Sequence, residues 1–185
     1  MEIIFKYPYF LTNIMWGYYE ALFYWGKTKL QKKAHNAIDN LASERKLTGS
    51  KDPLILEALA RHTENLEIQL KLASRDDAGP NVKPILAMRS RFQEVLSLLS
   101  SNTLKDNAYS YPSVMFMESP TEIAQNLIAM RGDVAFQIQR TLLSGSITTR
   151  YLLTKYTKNE KILCALRQDA NEMVRSKADS RKITS

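Results

Sequence analysis

Apolar side chains recur three and four residues apart along almost the whole of this 185-residue chain, and its six glycines and six prolines fall mostly where helices should stop. That spacing lines one face of an α-helix. The pattern predicts an all-α fold, an antiparallel bundle of about five helices that begins with a long aromatic-rich N-terminal helix and contains no sheet. The length suits one domain with enough apolar content to bury a core.

The expected helices follow local signals. The first runs from about Pro8, past a kink or break at Gly26, to Lys46. Asp52-Pro53 starts the second, because the carboxylate satisfies free amides and proline has none to lose. That helix should bury Ile55, Ala58, Leu59, His62, Leu66, Leu70 and Ala73 and end near Arg75, before the turn Asp76-Asp77-Ala78-Gly79-Pro80. Ile85, Met88, Phe92, Val95 and Leu99 form the seam of the third. Ser119-Pro120-Thr121-Glu122 has the form of a capping box and opens the fourth, which would bury Ile123, Leu127, Val134, Ile138 and Leu142 and end near Gly145.

The last helix runs from about Thr148 to Ala178, with Tyr156, Leu163, Leu166, Ala170 and Met173 on a coiled-coil-like stripe. Asn159 within it reads either as a buried register-setting residue or as a joint. No internal repeat is evident. The chain divides into residues 1–26, aromatic-rich and serving as docking element or core; residues 27–178, the helical bundle; and residues 179–185, a basic tail.

Residues 1–26 are unusual. Ten of the chain's seventeen aromatic side chains lie there, against three formal charges, Glu2, Lys6 and Glu20. Wound as a helix, the segment is apolar on nearly every side, so the rest of the domain, a partner protein or a lipid phase has to cover it. Tyr7 to Gly26 has the length of a membrane span, but Asn13 and Glu20 are costly in hydrocarbon, and tyrosines and tryptophans prefer the bilayer boundary. Phe10, Ile14, Trp16, Tyr19, Phe23 and Trp25 are the candidate docking residues for a partner or a membrane surface. Lys27, Lys29, Lys32 and Lys33 follow directly as a basic patch suited to anionic headgroups or an acidic surface.

The net charge of +7 is concentrated at the ends: residues 146–185 hold nine Lys or Arg against four Asp or Glu, whereas residues 51–145 hold ten against eleven. Such a distribution suits contact with phosphate and says nothing about fold. One cysteine, Cys164, cannot form a disulfide within the chain, which favours a cytoplasmic, cytosol-facing location that extends to a membrane surface.

The chemical inventory is thin. His62 reads as a packed core histidine and Cys164 as a small buried hydrophobe. His35 and Asp39 share a face, yet two ligands do not make a metal site. No phosphate-binding loop, dinucleotide fingerprint or nucleophile elbow is present. Arg131-Gly132-Asp133 matches the integrin-binding tripeptide but falls inside an expected helix. The long loop Ser101 to Glu118 carries Met115, Phe116 and Met117, which either close the end of the bundle or form an adaptable patch.

The reading is therefore a protein with no catalytic residues, cofactor or metal, a helical interaction scaffold that docks on a protein partner, on its own copy as a homo-oligomer, or on a membrane surface peripherally. A basic nucleic-acid-binding or packaging protein is the alternative, weakened by Glu160, Asp169, Glu172 and Asp179 among the basic residues. In size, helicity and apolar faces the chain is also loosely similar to the phasins, small helical proteins that coat storage granules; that likeness implies a coat on an apolar granule surface and rests on no motif.

Overall fold

The computed structural model describes residues 41–101 and 118–181. The expected first helix up to Asn40, the loop residues 102–117 and the tail from 182 lie outside the described residues. Ten helices occupy the described ones: α1 (Leu41–Leu47), α2 (Pro53–His62), α3 (Leu66–Ala73), α4 (Val82–Arg89), α5 (Gln93–Ser100), α6 (Pro120–Ala129), α7 (Phe136–Leu142), α8 (Ile147–Tyr156), α9 (Glu160–Leu166) and α10 (Glu172–Asp179). The helical class matches the expectation from sequence. The number does not, because each of the four expected helices from Pro53 onward divides into two or three short ones.

The cause is a recurring polar joint. At Thr63 the backbone turns extended, the amide of Asn65 donates to Thr63 Oγ1 at 3.2 Å, and the Asn65 side chain accepts from the amide of Ile68. The same joint separates α8 from α9, where the Asn159 amide donates to Thr157 Oγ1 at 3.1 Å and Asn159 Oδ1 accepts from Lys161. Asp169 and Asn171 repeat it before α10, and Ser90 takes the amide of Phe92 before α5. A short polar side chain that binds the amide two residues on competes with the helical hydrogen bond and ends the helix. Asn159 is thus a joint. Two starts fall where the sequence places them: Asp52 accepts from Leu54 at 2.9 Å and Ser119 from Glu122 at 3.2 Å. Gly79, at φ 98°, makes the turn before α4 in a left-handed conformation that suits glycine.

The helices stack in two rows. The first holds α2, α4, α6, α8 and α10, each packed on the next; in the second, α3, α5, α7 and α9 do the same. This is the arrangement of a helical-repeat stack, in which neighbouring pairs bury a continuous core, and not that of a single bundle. The second-row helices begin at Leu66, Gln93, Phe136 and Glu160, a spacing of roughly 25 residues once segment 102–117 is set aside. Three, four and seven residues after each N-cap stand buried Ile68, Gln69 and Leu72, then Val95, Leu96 and Leu99, then Ile138, Gln139 and Leu142, then Ile162, Leu163 and Leu166. So a repeat exists, contrary to the reading of the sequence alone.

Polar staples tie successive pairs. Arg131, two residues beyond α6, reaches back to the carbonyls of Ala87 and Ser90 at the end of α4, at 2.9 and 2.8 Å, while its other edge holds Asp133. Arg181, two residues beyond α10, does the same to Thr154 and Thr157 at the end of α8. Arg75, two beyond α3, holds Asp77 and the Thr48 carbonyl just past α1. Arg131 and Arg181 each join the C-terminal ends of two first-row helices, so helices within these pairs run parallel. Thr63 and Thr157 donate to Glu44 and Gln139, the fourth residues of α1 and α7, tying one row to the other.

Candidate interaction surface

Phe10, Ile14, Trp16, Tyr19, Phe23 and Trp25, with the basic patch Lys27, Lys29, Lys32 and Lys33, lie outside the described residues. So do His35, Asp39 and Met115 to Met117. The surface that can be built from the residues upward belongs to the first row.

Four large apolar side chains stand exposed there: Leu54 on α2, Met88 on α4, Ile147 on α8 and Met173 on α10. Counted back from the C-caps Thr63, Ser90 and Thr157, the first three lie nine, two and ten residues away. Separations of seven and eight put these positions on one stripe of the helix. The first row therefore carries exposed apolar side chains at matching positions of α2, α4 and α8, with none on α6 between them. Between α8 and α10 lies a shallow open groove lined by Tyr151, Glu172, Met173, Ser176, Lys177 and Ser180.

The apolar spacing in sequence places Met88 and Met173 on inward stripes, yet both are exposed. They face out because the joints at Ser90 and Asn171 reset the helical phase. His62 is also exposed, since Leu59 and Ala60 take the inward positions at the end of α2. Cys164 is exposed as well, one residue past buried Leu163, and lies near Glu160 and Arg167. The Arg131-Gly132-Asp133 tripeptide sits in the turn between α6 and α7 and not within a helix, and its guanidinium is spent on Asp133 and the α4 carbonyls.

The buried charges are structural. Lys83, 3% exposed, donates to Thr121 Oγ1 at 3.2 Å and lies 3.7 Å from Asp76. Glu57 accepts from Asn81 at 2.8 Å, and burial pushes its carboxyl above the usual range against the pull of Asn81 and Arg61. Glu118 is raised by burial and by Glu122. Arg75 and Arg131 hold Asp77 and Asp133 below the ordinary value. At Asp169 burial works upward, but hydrogen bonds from Arg150 and the Asn171 amide, with the charges of Arg150 and Arg175, keep it low.

Among the described residues no group of three or more His, Cys, Asp or Glu is placed to hold a metal ion. No described helix is long and apolar enough to cross a membrane. Compared with protein families, with curated proteins and with solved structures, the chain matches none.

Sequence reasoning missed the stapling arginines and the groove. A signal for the first was present: Ala73-Ser74-Arg75-Asp76-Asp77 and Ala129-Met130-Arg131-Gly132-Asp133 share their alanine, arginine and last aspartate. The groove had none, because it joins residues of two helices.

Proposed function

We propose that this chain is a non-enzymatic helical-repeat scaffold that holds a protein partner, using the aromatic segment of residues 1–26 as a docking element, in the cytoplasm or at the face of a membrane. The observation that carries the proposal is the two-row stack itself. Repeat stacks of this kind present extended surfaces along their length, and recognition is their common use. The exposed apolar positions Leu54, Met88 and Ile147 support the same reading, since solvent-exposed apolar surface marks contact sites. The concentration of rings in residues 1–26 adds a second apolar surface that needs a cover.

The test replaces Trp16, Tyr19, Phe23 and Trp25 together by serine in the full chain. Circular dichroism should keep its helical signal, while flotation with anionic vesicles or cross-linking to a partner is lost. Unfolding of this variant would make those rings core and remove the docking role. Salt separates the nucleic-acid alternative: binding to duplex DNA that falls steeply between about 50 and 200 mM salt would favour phosphate contact, whereas contact through rings persists.

A further inference from the structure

We infer that the groove between α8 and α10 receives an acidic amphipathic segment of a partner protein. This contact uses none of residues 1–26, so it goes beyond the docking role proposed above and stands or falls separately.

Two stripes border the groove. Ile147, Tyr151 and Lys155 stand four apart on α8, and Met173, Lys177 and Ser180 share one face of α10. Arg181 fixes their relative direction. By binding the Thr154 and Thr157 carbonyls at 2.5 and 2.8 Å, it draws the C-terminal ends of α8 and α10 together. The groove consequently has two unlike ends.

At the N-terminal end lie Ile147, 50% exposed, and Met173, 60% exposed, with Tyr151 beside them. At the C-terminal end stand Lys177, the Arg181 guanidinium on the α8 carbonyls, and exposed Lys155, whose ammonium lies 5.2 Å from the centre of the Tyr156 ring. The guanidinium on the last carbonyls of α8 also offsets the negative pole of that helix, so this end is positive. Glu172 lines the opposite end, and Asp179 lies about a third of a turn round α10 from Met173.

Met173 and Tyr151, with Lys177 and Lys155 beyond them, complement a helix that carries an apolar anchor with carboxylates one or two turns further on. Methionine adapts its shape to such an anchor and tyrosine supplies a firm wall. A nucleic-acid strand fits less well, because Glu172 interrupts the basic track and no second ring continues the stack.

The probe is a fluorescein-labelled synthetic helical peptide of leucine, alanine and glutamate, titrated with the full chain and followed by anisotropy. Saturable binding is expected, and Met173→Asp and Lys177→Glu should each weaken it at least about tenfold, or ~1.4 kcal/mol. The same peptide with lysine for glutamate should lose at least as much. Met173 is exposed and Lys177 half-exposed, so thermal melts of both variants should stay at the parent temperature. Unchanged binding in both variants overturns the proposal, as does equal binding of the lysine peptide. Two further results do so by naming another occupant. One is a dimer of the parent chain that Met173→Asp converts to monomer in sedimentation. The other is peptide binding that appears only after Trp16, Phe23 and Trp25 are replaced, which would put the chain's own rings in the groove.

Discussion

Glu57 shows how much a single position in this stack is constrained by its surroundings. Its side chain is 3% exposed, one carboxylate oxygen accepts from Asn81, and the other has no hydrogen-bond partner. Burial raises its pKa above 4.5, so the folded chain holds this proton more tightly than the unfolded chain does. Stability from this group is therefore greatest below pH 4.5 and declines as pH rises towards the folded value. Asp77, Asp133 and Asp169 act in the opposite sense: their lowered values give stability that is present above pH 3.8 and is lost as pH falls. Glu57→Gln keeps the acceptor for Asn81 and removes the titration. Urea unfolding of parent and variant from pH 4.5 upward should show a shallower fall for the variant. Parallel pH profiles would mean that the carboxyl is hydrated and not desolvated as placed.

At the scale of elements, the joints and staples matter more than helix propensity. The described helices are ten residues or fewer, too short to persist alone in water, so their stability comes from packing and from satisfied ends. Arg131 illustrates the second term. It bridges the C-terminal end of α4 and its own turn, with two carbonyls on one nitrogen and Asp133 on the others. Arg131→Ala would strip these charge-assisted bonds and should cost about 2 kcal/mol in urea unfolding. Arg131→Lys should recover less than half, because an ammonium lacks the fork that meets carbonyls and carboxylate at once. A loss below about 0.5 kcal/mol would mean that water replaces the staple.

Much at this scale was legible and some was not. Asp52-Pro53, Ser119-Pro120 and the Gly79 turn act through neighbours in sequence, and each falls where those residues predict. The joints at Thr63 and Thr157 were hidden. The apolar spacing continues across them, as from Leu59 to Leu66, so periodicity alone sees an unbroken helix, although Thr-x-Asn was there to read at both. The expected inward face of α2 keeps Leu59, which is buried, but Leu56, Glu57 and Ala60 are buried beside it in place of Ile55, Ala58 and His62.

For the whole molecule, the two-row stack predicts graded cooperativity. Each pair of helices contacts chiefly its neighbours, so a lesion in the centre should disturb more of the structure than one at an end. Leu86 on α4 and Leu163 on α9 are both fully buried. Leu86→Ala should cost about 2 to 5 kcal/mol and lower the unfolding midpoint throughout. Leu163→Ala should instead speed hydrogen exchange in α9 and α10 while α2 to α5 stay protected. Equal loss of protection everywhere in both variants would mean one indivisible core.

The candidate surface divides along the same line. The apolar, ring-rich character of residues 1–26 and the basic run Lys27 to Lys33 are properties of composition, and the sequence states them without help. Helical class, the capped starts and the surplus of charge near the C-terminus are likewise local, because each depends on residues within a turn or two of one another. Only the tertiary structure decided that the helices pair in rows, that Arg131 serves a carbonyl more than forty positions away, and that Met173 faces Tyr151 across a groove. Those relations depend on which helix ends meet in space, and a period of 3.6 residues carries no record of that.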